Sequence, residues 1–239
     1  MKKIGVVIPA CNEQDDIENC LHAIAQAKLN VSKYHHVDDL PEIQVLVVLD
    51  CCTDQTLDKV KNLEIDYLEC DYACVGKSRH LGIQALIAQE CDWLCCTDAD
   101  SMVSTHWFNT MLLTPLADMI CGIVELNAWQ HLSAYTRQSY EQHYQDKMHH
   151  RHIHGANLSF SAKTYQSLGG FKAMPCHEDV DLVQRAEQQG LNIIWSNKVR
   201  VQTSSRLSSR VEQGFAHFLQ KLEQQALQNE TLNLARKII

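Results

Sequence analysis

The feature that most constrains this chain is a series of short apolar runs, each ending abruptly in polar or acidic residues. Ile4–Ile8 reads as a buried strand and gives way to Pro9, Asn12 and Glu13. Val45–Leu49 reads as a second and ends at Asp50. Trp93–Thr97 is another, followed at once by Asp98-Ala99-Asp100. Between these runs lie amphipathic segments. Asp15–Lys28 sets Ile17, Leu21 and Ile24 on one helical face. Thr53–Asn62 opens with Thr53 or Asp54 as a natural N-cap. Asp66–Glu69 is a weaker strand, Lys77–Gln89 and Ser104–Leu113 are helical, and Met119–Val124 is again strand-like. This alternation predicts an α/β fold with a mostly parallel sheet and helices on both faces. In such a sheet a ligand sits beyond the carboxyl ends of the strands, so the segments after the runs should face one cleft.

The second half is patterned differently. Residues 125–154 are polar and rich in His and aromatics, and read as helix plus loop set between core elements. Residues 155–160 suggest a short strand, and Gly169-Gly170-Phe171 a turn. Glu178–Gln189 is an amphipathic helix closed by Gly190. Leu191–Trp195 and Val199–Thr203 follow as strands, and the chain reads as helical from Ser208 onward.

With 239 residues, 45% of them hydrophobic, the chain can bury one substantial core. A net charge of -8 argues against non-specific binding to nucleic acid, and no nucleic-acid partner is expected. The apolar start at Met1–Pro9 is too short for a secretory signal, and no run reaches the roughly 18 apolar residues of a membrane span. The eleven Cys are then expected to be reduced cytosolic thiols packed as small hydrophobes, which places the protein in the cytoplasm. Cys70/Cys74 and Cys91/Cys95 lack Cys-x-x-Cys spacing, which argues against structural zinc. Clustered His149, His150, His152 and His154 in a polar insert read as a solvated loop or acceptor contacts before a transition-metal site.

Several segments carry chemistry. Two carboxylates one residue apart after a buried strand, Asp98 and Asp100, can approach one hard cation such as Mg²⁺ or Mn²⁺. An acidic turn is the alternative. Asp50 precedes its helix, so capping does not explain it, and it can accept hydrogen bonds from a ribose or base edge. Lys77 and Arg79 with Gly76 and Gly82 put cations at a helix start, which suits an anion or an ordinary basic face. His177-Glu178-Asp179-Val180-Asp181 opens a helix with three carboxylates. These either serve the helix dipole or aim a general base at an acceptor hydroxyl. Arg206 and Arg210, near Ser204 and Ser205, suit a pyrophosphate, or are surface charge.

Together these segments resemble the family 2 glycosyltransferases of GT-A fold. Val7–Glu13 resembles the opening strand and nucleotide turn, and Val48–Thr56 the acidic motif for base and ribose. Arg79-His80-Leu81-Gly82 resembles a segment that usually reads Arg-Asn-x-Gly, so His80 is a departure. Cys11, Cys51 and Cys52 replace the commoner aromatic, Gly or Ser positions near the nucleotide. Thr97–Asp100 resembles the metal-binding Asp-x-Asp, Gly155-Ala156-Asn157 with Gly169–Phe171 the acceptor segment, and Glu178–Leu182 the Glu-Asp motif.

The resemblance implies a nucleotide-sugar-binding half at 1–124, an acceptor and catalytic-base half at 125–205, and a helical extension at 206–239. It implies inverting transfer from a nucleoside-diphosphate sugar, with uridine the expected base, to an unidentified acceptor hydroxyl. Asp179 is the implied catalytic base, with Glu178 beside it. Pro9, Asn12, Glu13, Asp50, Lys77, Arg79, Asp98, Ala99, Arg206 and Arg210 would serve the donor. Gly155, Ala156, Asn157 and His177 would serve the acceptor, and Asp98 and Asp100 the divalent metal. A sugar nucleotidyltransferase is the poorer reading, because Pro9–Glu13 is not a Gly-rich basic loop. A non-catalytic nucleotide-sugar-binding module would not need Asp98, Asp100 and Asp179 together. The Gln-x-x-Arg-Trp motif of processive synthases is absent. Phe215, Phe218, Leu219, Leu222 and Ala226 have helical spacing suited to docking on the catalytic part, a homodimer or a membrane surface. Interspersed acidic residues favour the first two.

Overall fold

The computed structural model describes residues 1–34, 40–114, 116–207 and 215–238. Its strands are β1 (Lys3–Ala10), β2 (Glu42–Asp50), β3 (Asp66–Cys70), β4 (Trp93–Cys96), β5 (Ser101–Val103), β6 (Met119–Leu126), β7 (Leu158–Ser161) and β8 (Ile193–Thr203). Its helices are α1 (Ile17–Val31), α2 (Thr56–Asn62), α3 (Val75–Ala88), α4 (Trp107–Leu112), α5 (Ala134–His143), α6 (Ala162–Ser167), α7 (Glu178–Gln188) and α8 (Phe215–Ile238). The two strands expected at 191–195 and 199–203 are one, β8.

The strands form a single sheet in the order β3-β2-β1-β4-β7-β6-β8-β5. The first four are parallel. β7 runs antiparallel to both β4 and β6, and β5 antiparallel to β8. The sheet is therefore mixed, which corrects the mostly parallel sheet expected from the alternation. Parallel neighbours need a crossover connection, and the helical crossovers of the first hundred or so residues supply them. The antiparallel partners of the other half lie far apart in sequence, as Ser101 and Thr203 do, and no local pattern announces them.

Alternation along the strands feeds two cores. Ile4, Val6 and Ile8 of β1 and Val47 and Leu49 of β2 pack with Ile17, Leu21 and Ile24 of α1 and Trp107 and Phe108 of α4. Val7, Leu46 and Val48 point the other way, onto Ile83 and Leu86 of α3, Tyr165 of α6 and Leu182 and Val183 of α7. Helices thus cover both faces, because successive strand residues point to opposite sides. Cys95 and Cys96 divide between the two cores in the same way and pack as small hydrophobes.

Gly82 sets how closely α3 approaches the sheet. A Cβ there would lie 2.5 Å from Val7 Cγ2 and 2.7 Å from Val48 Cγ2. Both neighbours are stiff, β-branched strand residues. Gly82→Ala is expected to lower stability by about 1–3 kcal/mol through overpacking, against a helix-propensity gain of roughly 1 kcal/mol. A thermal midpoint at or above that of the wild type would refute this account of the α3 packing.

The chain divides into two compact units. One comprises Met1–Glu125 and Lys147–Thr203, the other Leu126–Asp146 and Ser204–Ile239. In the smaller unit, α5 and α8 share a core of Leu126, Leu132, Tyr140, Leu219 and Leu222. Ser133 caps α5, its side chain accepting from the Thr136 N–H, while its own N–H donates to Glu223 of α8. Of the apolar stripe expected on α8, Leu219, Leu222 and Ala226 are buried and Phe218 is exposed. Among the described residues no helix is long and apolar enough to cross a membrane.

Candidate functional site

β1, β2, β3 and β4 run parallel, so Ala10, Asp50, Cys70 and Cys96 all end at one edge of the sheet. The loops beyond them are bound to one another. Asn12 Oδ1 accepts from the backbone N–H of Thr53 at 2.7 Å and of Asp54 at 3.3 Å. The Glu13 N–H donates to Thr56 Oγ1 at 2.8 Å. Asp54 Oδ1 in turn accepts from the Thr56 hydroxyl and N–H, so it organises the start of α2 from just outside the helix. Asn12 and Glu13 thereby fasten the first loop to the second. Pro9 lies in β1 opposite Val48.

Asp50 is buried and serves the third loop. Its carboxylate accepts from the N–H groups of Ala73 and Cys74, at 2.9 and 3.0 Å, and from the Ser78 hydroxyl at 2.7 Å. Burial works against its ionisation, but these donors outweigh burial and hold the carboxyl below its ordinary value. Ser78, fully buried on α3, was not singled out from the sequence although it lies inside the Gly76–Gly82 segment. Lys77 is exposed and sits over the Tyr72 ring, 5.6 Å from its centroid.

Backbone strain concentrates at this edge. Asn12, Cys51, Ala73 and His177 have φ of 54°, 55°, 46° and 63°, each in the segment next to a candidate residue. Left-handed conformations of non-glycine residues cost energy and persist where surrounding contacts enforce them, as at binding sites.

Arg79 occupies the centre. It is 4% exposed. One terminal nitrogen pairs with Asp98 at the end of β4, the other with Glu178 in the first turn of α7. Burial disfavours its charge, but the two carboxylates prevail and keep the guanidinium protonated. Glu178 is also buried, and burial lifts its carboxyl above the ordinary value against the opposing pull of Arg79. Asp179, only partly buried, accepts from the Gly155 N–H at Oδ2 (2.6 Å) and from the Val180 N–H at Oδ1 (2.8 Å). Asp98, with a side chain 35% exposed, faces outward more than its partner. Ala99 is buried in the core. Asp100 Oδ1 lies 3.2 Å from the Ser101 hydroxyl and 3.4 Å from that of Thr203.

The expected acceptor residues behave differently from one another. Ala156 and Asn157 are buried, and the Asn157 side chain is committed to the core. Its Nδ2 donates to the Ile123 and Val199 carbonyls at 2.7 and 2.9 Å, and its Oδ1 accepts from Trp107 Nε1 at 2.9 Å. The Asn157 side chain is thus held in the core, within the segment expected to serve the acceptor. His177 is exposed and leads into α7. His80, the departure from the usual Asn, turns away from the Asp-x-Asp segment. Its Nδ1 bonds Tyr165 Oη at 2.8 Å, and Tyr165 Oη accepts from the Phe171 N–H at 3.0 Å. The pair anchors the Gly169–Phe171 turn to α3. Arg206 lies in the smaller unit, and Arg210 lies outside the described residues.

Beside Gly155, His150, His152 and His154 stack their rings at alternate positions, with centroids 5.5 and 6.2 Å apart. Burial, and then His152 and His150, push His154 down to about 3. A histidine with a depressed folded pKa contributes stability above its unfolded pKa of about 6.5, lost as pH falls toward the folded value. Thermal midpoints measured from pH 7 to 4 should therefore fall more steeply for the wild type than for His154→Asn. Parallel curves would remove His154 from the acid response.

The profile of glycosyl transferase family 2 matches residues 5–165. The chain belongs to glycosyl transferase family 2. Over 112 residues it is 30% identical to the poly(ribitol-phosphate) beta-N-acetylglucosaminyltransferase TarS of Staphylococcus aureus (strain Mu50 / ATCC 700699), a match covering 44% of this chain and 17% of TarS. The chain thus spans only a small part of that relative's length. The structure of S. aureus TarS 1–349 in complex with UDP aligns with a TM-score of 0.62 at 14% identity, covering 85% of this chain and 61% of that one. The mannosyltransferase PcManGT from Pyrobaculum calidifontis, in complex with GDP-Man and Mn²⁺, aligns with a TM-score of 0.59 at 16% identity, covering 89% and 58%. At these identities the alignments speak to the fold, which is that of the GT-A glycosyltransferases.

Proposed function

We propose that this family 2 glycosyltransferase moves a sugar from a nucleoside-diphosphate donor to an acceptor hydroxyl, with inversion and with help from Mg²⁺ or Mn²⁺. The observation that carries the reading is the Arg79 junction. It joins the Asp98–Asp100 turn to the first turn of α7, so the candidate metal and base motifs stand together at the carboxyl edge of the sheet. TarS bound to UDP, and PcManGT bound to GDP-Man and Mn²⁺, lend support.

Asp98 and Asp100, two carboxylates one residue apart, would hold a hard cation that keeps water and takes its remaining ligands from substrate phosphates. Such an ion supplies charge stabilisation for the departing nucleoside diphosphate when bound.

Asp179 is the base. Its two oxygens are oriented by the Gly155 and Val180 N–H groups, and each keeps a second lone pair for a proton. As the acceptor oxygen bonds to the anomeric carbon, its proton passes to Asp179 and the bond from that carbon to the diphosphate breaks. Glu178, expected beside Asp179 as a catalytic residue, is buried on Arg79 and supports the site from below. Asn12, Glu13, Asp50 and Lys77 shape the donor edge, with uridine as the expected base, and Arg206 and Arg210 are carried as pyrophosphate contacts by resemblance.

The test is a thermal-shift screen of UDP- and GDP-sugars with and without Mn²⁺, followed by an assay of nucleoside diphosphate release. A donor that stabilises the protein in the presence of Mn²⁺ and is turned over supports the reading. A donor that binds but releases no nucleoside diphosphate, with or without acceptor, would make the chain a binding module.

A further inference from the structure

We infer that Arg79 is a positioning residue that couples the two acidic motifs of the site. It holds Asp98, just beyond β4, and Glu178, at the start of α7, in fixed relation to one another. The inference rests on the transferase reading above and concerns how its site is assembled.

The geometry for this is specific. The two terminal nitrogens of one buried guanidinium bind carboxylates from different elements, the end of β4 and the start of α7. A planar fork sets its two ends on two carboxylates at a fixed separation, whereas an ammonium would have to reach both from one nitrogen. Two glycines make the room. A Cβ at Gly155 would lie 2.4 Å from Arg79 Nη1 and 2.6 Å from both Cζ and Nη2. The backbone that holds Asp179 through the Gly155 N–H therefore lies against the guanidinium itself. A Cβ at Gly76 would meet the Lys172 carbonyl at 2.8 Å and Glu178 Cγ at 3.1 Å, so α7 can approach α3 only because that position is bare.

Arg79 Nε, in contrast, is buried without a hydrogen-bond partner. With its two ends fixed on Asp98 and Glu178, the guanidinium leaves Nε unsatisfied. Neither terminal nitrogen is placed to act as a donor ligand. The residue is nearly inaccessible and both ends are engaged, which replaces the donor contact expected of it.

The test compares wild type, Arg79→Lys, Arg79→Met, Asp98→Asn and Arg79→Met/Asp98→Asn, each checked for folding by circular dichroism. Calorimetry with UDP and Mn²⁺ as probes is run beside kcat and donor KM, and urea unfolding supplies the double-mutant cycle. Arg79→Met and Arg79→Lys are expected to lower kcat at least a hundred-fold, while UDP–Mn²⁺ affinity stays within about three-fold of wild type, since Asp98 is released rather than removed. The double variant is expected to lose little more than Arg79→Met alone, in kcat and in unfolding, because the two residues act as a unit. A ten-fold or greater loss of UDP affinity with kcat intact would overturn the inference in favour of direct donor binding. Full additivity with Asp98→Asn would overturn it as well. Should Arg79→Met fail to fold, Arg79→Lys carries both readouts. Calorimetry and unfolding need no turnover, so a wild type that transfers no sugar would sink the transferase reading while the coupling still decides the role of Arg79.

Discussion

Asp179→Asn is expected to cut sugar transfer about a hundred- to ten-thousand-fold while donor affinity remains within a few-fold of wild type. Asparagine keeps the size of the side chain and can still accept from the Gly155 N–H through its carbonyl, so the packing beside α7 survives. What it loses is the capacity to take a proton. The alternatives on the same helix turn are poorly placed. Glu178 is buried against Arg79. Asp181 is held by Lys172 and Arg185, and although burial alone would raise its carboxyl, these two cations outweigh burial and keep it below the usual range. Donor binding by calorimetry and transfer by product release separate the effects. Transfer at the wild-type rate would remove Asp179 as the base and leave Glu178 or Asp181 as the next to test.

Asp179 illustrates what was legible in the sequence. Its place in an acidic helix start was visible, and so were the apolar runs of β1, β2 and β4, because each is a continuous local pattern whose end marks a sheet edge. Sheet order was not visible. β5 is three residues long, and its pairing is settled by Thr203, far along the chain. β7 reads Leu-Ser-Phe-Ser, a pattern silent on direction, yet it enters between β4 and β6 and makes the sheet mixed. Side-chain commitments were hidden for the same reason. Asn12 and Asp50, donor contacts by resemblance, both sit at the expected edge. There their polar atoms also tie loops together, through Thr53 and Asp54 in one case and Ala73, Cys74 and Ser78 in the other. A sequence places a residue at an edge; only the fold shows whether the side chain faces its neighbours or a ligand.

Asn157 is where that distinction has the largest consequence for stability. Asn157→Ala is expected to destabilise the protein by about 3 kcal/mol or more, because it strands the Trp107 indole N–H and two carbonyls in the core and opens a cavity. At the size of this chain that corresponds to a fall in Tm of roughly 6–12 °C. Asn157→Asp should be worse. A carboxylate there would set oxygen against the Ile123 and Val199 carbonyls, which now receive N–H donors, and would bury a charge among neutral partners. Gly122 leaves no slack for repacking, since a Cβ at that position would already lie 2.2 Å from Asn157 Nδ2. The contrary result is equally definite. If Asn157→Ala keeps the wild-type Tm while the acceptor KM rises, the side chain serves the acceptor and not the junction of β6, β8 and α4.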